Sequence, residues 1–391
     1  MRKSTDRILT THAGSLPRGE PLGSMLIDQE AGKAVDPATL TAAIDARVTH
    51  VLKKQVEAGV DEANDGEQGR VGFQTYVPQR MSGFAGVSER PYGQDWVTFP
   101  QFNERFFQRL PPKVGKVFGA PQAVADIKYR GTDLINSEIE RYQRLSAPVK
   151  SEVAEFFMNA ASPGIIAATM LNAHYDSYET YLDAIAREMR IEYEAVVKGG
   201  FILQIDAPDL AMERTILFQD KSDAEFAKVV ELHVATLNKA LANIPPDRVR
   251  LHVCWGNWEG PHVHDVAMEV ILPALYQANV GALGLEFGNS RKHHETAALK
   301  KHKMPDRMSL IAGVIDSKSN MVEHPEVVAQ RIEAVVAALG DRERVIAGVD
   351  CGFGTFVGWE WVSEDVVWAK LAALREGADR ASDRLWGRKA A

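Results

Sequence analysis

Along the chain, short apolar runs bounded by Gly, Pro or acidic residues alternate with longer stretches whose apolar positions recur every three or four residues. The first run, Arg7-Ile8-Leu9-Thr10-Thr11-His12, stops at Ala13-Gly14-Ser15-Leu16-Pro17 and reads as a strand over 7–12. Ile44, Val48, Val51, Leu52 and Val56 then mark a helix between Pro37 and Gly59. A second strand is expected at 60–64, running into Asn64-Asp65-Gly66-Glu67, with Asp61 and Glu62 read as solvated. From 71 to 130 the rhythm breaks into scattered Phe73, Tyr76, Trp96, Phe99, Phe102, Phe106, Phe107, Pro111 and Pro112. So long an irregular stretch reads as an insertion or lid beside a site, with a hairpin ending at 125–129. Helix is predicted over 134–159, strand over 164–169, and a strongly periodic helix from Ser177 to Lys198 that Gly199-Gly200 closes.

The second half repeats a regular unit. Strand 201–206 precedes helix 222–242, strand 249–254 precedes helix 264–278, and strand 282–287 precedes a polar helical segment. Strand 308–315 is followed by helix 325–339 and strand 344–350 by helix 364–379. Eight strands alternating with helices imply parallel pairing, so the pattern predicts one α/β domain over 1–391. That domain is a (β/α)8 TIM barrel with an aromatic-rich insertion, 71–130, after the second strand.

In such a barrel the chemistry sits at the carboxyl ends of the strands, where Ser15, Glu67, Asp206, His252, Cys254, Glu286, Asp316 and Cys351 all fall. His252 and Cys254 are two apart on a strand, so their side chains share a face. Cys351 is the other of only two cysteines. Two thiols and an imidazole suit a tetrahedral zinc, and Glu286 ends a third apolar run with a carboxylate. His-x-Cys alone is a weak signal, since buried Cys is a common core residue. Ligands spread over strand ends, rather than paired in Cys-x-x-Cys turns, favour a catalytic metal over a structural one.

Composition narrows the classes further. An apolar share of 45% and a charged share of 25% are ordinary for a globular chain of 391 residues. A net charge of −8 without a Lys/Arg stripe argues against a nucleic-acid partner, and Lys300-Lys301-His302-Lys303 reads as a solvated helix end. No apolar run is long enough to span a bilayer and the first residues lack a secretory h-region, so a cytoplasmic protein with reduced thiols is expected. The sequence leaves a homo-oligomer open.

The motifs Thr10-Thr11-His12-Ala13-Gly14-Ser15-Leu16-Pro17, Asp65-Gly66-Glu67, Leu203-Gln204-Ile205-Asp206, His252-Val253-Cys254, Glu286 and Asp350-Cys351-Gly352 occur in that order. As a set they are similar to the catalytic barrel of cobalamin-independent methionine synthases and their single-barrel relatives, which include epoxyalkane:coenzyme M transferase. The resemblance implies Zn²⁺ held by His252, Cys254, Glu286 and Cys351, and a thiol amino acid held by Ser15, Glu67 and Asp206. It implies methyl transfer from a small donor to a homocysteine-like thiol. The alternatives are opening of an epoxide by a bound thiolate, or a zinc-stabilised binding protein without catalysis. Two thiolates and a carboxylate make zinc a poor activator of water but leave a bound thiolate electron-rich, which favours thiol alkylation over hydrolysis.

Several positions differ from the family pattern. There is one barrel where full-length methionine synthases have two, and Thr169-Met170-Leu171-Asn172-Ala173-His174-Tyr175 lacks the Trp that packs on a pterin. Lys318, two residues after Asp316, stands where the family has a proton-donating His, which makes these two the candidate catalytic groups. An unperturbed lysine is poorly matched to that task unless burial lowers its pKa. Ala207 follows Asp206 where methionine synthases have an acid. The expectation is therefore a donor other than a methylfolate.

Overall fold

The computed structural model describes residues 1–109, 114–115 and 118–387; Pro111 and Pro112 lie outside them. Among the described residues, eight parallel strands form one sheet that curls into a barrel. In chain order they are β1 (Leu9–Thr10), β2 (Glu62–Ala63), β5 (Glu155–Ala161), β6 (Ile202–Asp206), β7 (Val249–His252), β8 (Ala282–Glu286), β9 (Ser309–Ile315) and β10 (Val345–Val349). Between β2 and β5 lie β3 (Met81–Ala85) and β4 (Gln122–Tyr129), an antiparallel pair outside the barrel. The barrel order is β1-β10-β9-β8-β7-β6-β5-β2, and a bridge between Thr11 and Glu62 brings its two ends together. The expected (β/α)8 barrel is the architecture found.

Side-chain caps start several of the outer helices. Asp36 accepts from Thr39 N with Pro37 in the first turn, and helix Pro37–Glu57 lays Leu40, Ile44, Val48, Val51 and Leu52 against the barrel. Each such side chain contributes about 1.5–3 kcal/mol on leaving water. Ser177 caps Tyr178–Lys198, and Ser222 with Glu225 forms a reciprocal capping box for Asp223–Ala240. No helix among the described residues is long and apolar enough to cross a membrane.

The third strand was misplaced by the periodicity. Residues 164–169, expected as a strand, belong to helix Pro163–Thr169, while the strand is Glu155–Ala161, which overlaps the end of the helix expected at 134–159. The true helix there is Asp133–Ser146. Ser162 caps the new helix by accepting from Ile165 N, with Pro163 at its first position. Every residue of Pro163–Thr169 is buried, so no polar face reveals its helical period. Asp61 and Glu62 are also buried rather than solvated. Arg7 grips Asp61 at 2.6 and 2.7 Å, and Arg250 Nη1 stands 2.9 Å from Glu62 Oε2. Both partners are distant in sequence, which hides the pairing from local reading. A short helix, Leu22–Glu30, was not anticipated.

Within 71–130 the expected hairpin is the β3–β4 pair, whose register runs from Met81 opposite Tyr129 to Ala85 opposite Gln122. A buried ionic set ties it to the barrel: Arg80 and Arg70 meet Glu138, and Tyr76 and Tyr129 donate to Glu192 at 2.7 Å.

Candidate active site

The carboxyl ends of the strands open into a cavity of about 510 Å³. Ser15, Glu67, Asp206, His252, Cys254 and Cys351 line its inner end. Tyr92, Trp96, Phe106, Phe118, Trp258 and Trp359 line its outer walls.

The register of β7 and β10 carries the thiols in from separate stretches of chain. Cys254 lies two residues beyond the end of β7 and Cys351 two beyond β10, and their Sγ atoms are 3.2 Å apart. One ligand atom from each of His252, Cys254 and Cys351 lies within 4.8 Å of the others. Cys254 donating to Cys351 draws the Cys351 thiol down to about 5, against burial and with help from His252; the same contact holds Cys254 well above its usual range. Burial opposes a charge on His252, yet its neighbour Cys351 raises the imidazole's pKa overall.

Glu286, at the end of β8, stands beside this group without being part of it. Its Oε1 accepts from Trp255 N at 3.0 Å, while Oε2 lies 3.7 Å from Arg291 and 4.0 Å from Lys318. Burial would raise its pKa, but Lys318, Arg291 and Lys292 outweigh it and keep the carboxylate ionised. Glu286 Oε2 and His252 Nε2 are both buried without a hydrogen-bond partner, which is unusual enough to require a reason.

Lys318 and Asp316 are not among the residues lining the cavity. Lys318 is buried with Nζ 3.6 Å from Asp316 and 4.0 Å from both Glu286 and Asp350. Burial alone would lower its pKa, as the sequence reading required, but these three carboxylates drive it upward. Asp350, pushed up to about 8 by burial, accepts from Phe287 N and Gly288 N and so braces the loop that follows Glu286.

On the opposite side, Glu67 and Asp206 face the cavity. Asp206 accepts from Asn159 Nδ2 at 2.8 Å and Gln204 Nε2 at 2.7 Å, which fixes its carboxylate. Arg250 steadies Gln204 from below with a 2.6 Å bond to Oε1. Glu67 sits in the left-handed region at φ 53 and its Oε2 is buried without a partner. Burial and the nearby Asp206 push Glu67 up to about 8, and burial raises Asp206 as well. Ser15 Oγ packs so closely on Gly352 that a Cβ there would overlap it. Asn257 and Gln74, not anticipated from sequence, also line the cavity. Asn257 Nδ2 donates to Gly352 O at 2.7 Å, holding the Cys351 loop; its only sequence signal is its place three residues after Cys254.

Residues 149–375, more than half of the chain, match the family described as cobalamin-independent synthase, catalytic domain. The chain belongs to this family. The matched span holds β5 to β10 and all four of His252, Cys254, Glu286 and Cys351. The chain is similar to a methionine synthase of Sulfurisphaera tokodaii, 25% identical over 344 residues and covering 88% of this chain and 85% of the relative. It also resembles the 2-hydroxypropyl-CoM lyase of Xanthobacter autotrophicus, 28% identical over 169 residues, 37% of this chain and 43% of that one. A solved B12-independent methionine synthase from Shewanella sp. W3-18-1, in complex with selenomethionine, shares the fold with a TM-score of 0.70. It is 19% identical, over 97% of this chain and 99% of that chain.

Proposed function

We propose that this chain is a zinc-dependent thiol alkyltransferase that methylates a homocysteine-like aminothiol. The observation that carries the reading is the convergence, in one cavity, of two cysteines 3.2 Å apart, a histidine and two buried carboxylates. The donor set fits zinc: two thiols, an imidazole and a carboxylate, with His252 Nε2 and Glu286 Oε2 each lacking a partner. His252, Cys254, Cys351 and Glu286 would hold the ion. Bound there, zinc would keep an incoming thiol deprotonated at neutral pH.

The remaining residues bind and orient. Glu67 and Asp206 repel one another while the cavity holds no cation, so an ammonium group between them would let both ionise. Ser15 stands on the same side to take a polar group of the amino acid. In this reading Lys318 and Asp316 are positioning residues: the lysine neutralises Glu286 and Asp350 behind the thiols, and its proton is held too firmly for a general acid. Segment 71–130 serves as the lid, since its Phe73, Trp96, Phe106 and Phe118 cover the strand ends and exclude water.

Family membership and the methionine synthases among its relatives support methyl transfer to homocysteine. The stretch similar to the 2-hydroxypropyl-CoM lyase favours a second reading, a thiolate that opens an epoxide. Titration of homocysteine and of coenzyme M into zinc-loaded protein separates them. Homocysteine should bind more tightly and release about one proton per thiol. Tighter binding of coenzyme M would favour the second reading, and absence of proton release with either thiol would overturn both.

A further inference from the structure

The outer part of the cavity serves neither the thiols nor the amino-acid carboxylates. Trp96 and Trp258 meet at 5.6 Å between ring centres with planes 80° apart, and Phe106 meets Trp258 at 5.8 Å and 87°. Trp359 stands 5.9 Å from Phe106, and Phe118 5.8 Å from Trp96. All five rings line the cavity, so π faces at steep angles to one another border a single space.

The charges around that space are mainly acidic. Glu89 and Asp95 border it, and Arg90 is the single lysine or arginine among the described residues lining the whole cavity. Arg90 is already matched, with Nη2 2.5 Å from Oε1 of the fully buried Glu213. An aromatic wall with acidic neighbours and one compensated cation attracts positive charge and rejects carboxylates. The loop bearing Lys318 adds no lysine to the lining.

We propose that the alkyl donor bound in this outer chamber is an onium ion, specifically a methylsulfonium, held by its charge against the rings of Trp96, Trp258 and Trp359. The inference rests on the thiol-alkylation reading above and names its second substrate. The step balances without an added acid. A lone pair of the acceptor thiolate sulfur forms the new S–C bond to the methyl carbon. The C–S⁺ bond breaks with its electron pair staying on the donor, which departs as a neutral thioether. The acceptor thiol's proton goes to solvent. A donor that departs as an anion would need a proton on its leaving atom, whereas a neutral thioether also loses its attraction to the rings and can leave.

The first measurement needs no turnover. Choline and its neutral isostere 3,3-dimethylbutan-1-ol are titrated into the zinc-loaded protein and followed by calorimetry. Choline should bind roughly tenfold more tightly, and Trp258→Leu should remove the preference while Trp258→Phe keeps much of it. Equal binding of the two probes by the unaltered protein overturns the proposal, whatever becomes of the variants.

The second measurement uses cobalt-loaded protein, in which homocysteine bound at the metal adds a further thiolate-to-metal charge-transfer band to that of Cys254 and Cys351, followed by offers of S-methylmethionine or of methyltetrahydrofolate. The band together with faster methyl transfer from the sulfonium supports the proposal. The band with faster transfer from methyltetrahydrofolate, or with no transfer from the sulfonium, overturns the donor while the thiol reading stands. No further band with homocysteine overturns the thiol reading, and this proposal with it.

Discussion

At the inner end of the cavity, His252, Cys254, Glu286 and Cys351 stand on or just beyond strands in which every residue is buried. At the outer end, Trp96 and Phe106 stand on short helices, Gln94–Thr98 and Pro100–Gln108, in which one residue each is buried. The inner groups are held by parallel register, as where Glu286 pairs with Gly313 and His252 with Gly284, and by backbone donors such as Trp255 N to Glu286. The outer groups are held by one another's rings. Backbone ladders fix atoms to fractions of an ångström, which metal and thiol chemistry require, whereas ring packing tolerates exchange of one large side chain for another. The two ends can therefore change independently of one another.

The strongest way to break this contrast is at the inner end. Cys351→Ser and Cys254→Ser should each lower bound zinc from about one per chain to near none, and turnover by about a thousandfold or more. Metal analysis of the purified variants reads it directly, and full occupancy in both would end the ligand assignment.

A smaller effect follows from Glu67, whose folded pKa of about 8 lies above the ordinary carboxyl value of 4.5. Between those values the folded chain keeps a proton that the unfolded chain has lost, so this group's contribution to stability falls as pH rises through the window. Glu67→Gln removes the fall. In metal-free protein the variant should gain on the parent by on the order of 3 kcal/mol between pH 4.5 and 8, then run parallel above. Denaturant melts at pH 5 and pH 8 test it, and a difference that does not grow with pH would show that Glu67 ionises normally.

The same position and Asp206 sharpen the thiol reading. Glu67→Gln or Asp206→Asn should raise the KM for homocysteine by about thirtyfold, and that for a thiol lacking the amine by less than about threefold. Equal rises would mean that the carboxylates do not read the ammonium group. The smallest change is expected in the β3–β4 hairpin, beside the cavity. Tyr129→Phe loses the 2.7 Å bond to Glu192 and should cost about 1 kcal/mol, with zinc content unchanged. A loss of zinc in that variant would show the hairpin to be coupled to the inner end.

This contrast also explains what the sequence discloses. Strands of two to seven mostly buried residues alternate with amphipathic helices, so the barrel and the strand-end residues Ser15, Glu67, Asp206, His252, Cys254 and Cys351 were legible, and the structure brings all six to one cavity. The third strand was not, because the helix after it has no exposed face to betray its period. Nor was the company of Lys318, since Glu286 and Asp350 approach it from other strands and reverse the pKa shift that burial alone would give. The aromatic walls were visible only as composition. Trp96 meets Trp258, and Phe106 meets Trp359, across gaps that no local period spans.

The 3.2 Å contact between Cys254 and Cys351 joins positions 97 residues apart, and β10, which delivers Cys351, is also the strand that pairs with β1. During synthesis the second thiol therefore emerges only after β10 does, and it can meet the first only as that strand slots in beside β1. A polypeptide made only as far as β9 carries one of the site's two thiols, Cys254, with His252 and Glu286. In the proposed reading, metal loading and ring closure become one event.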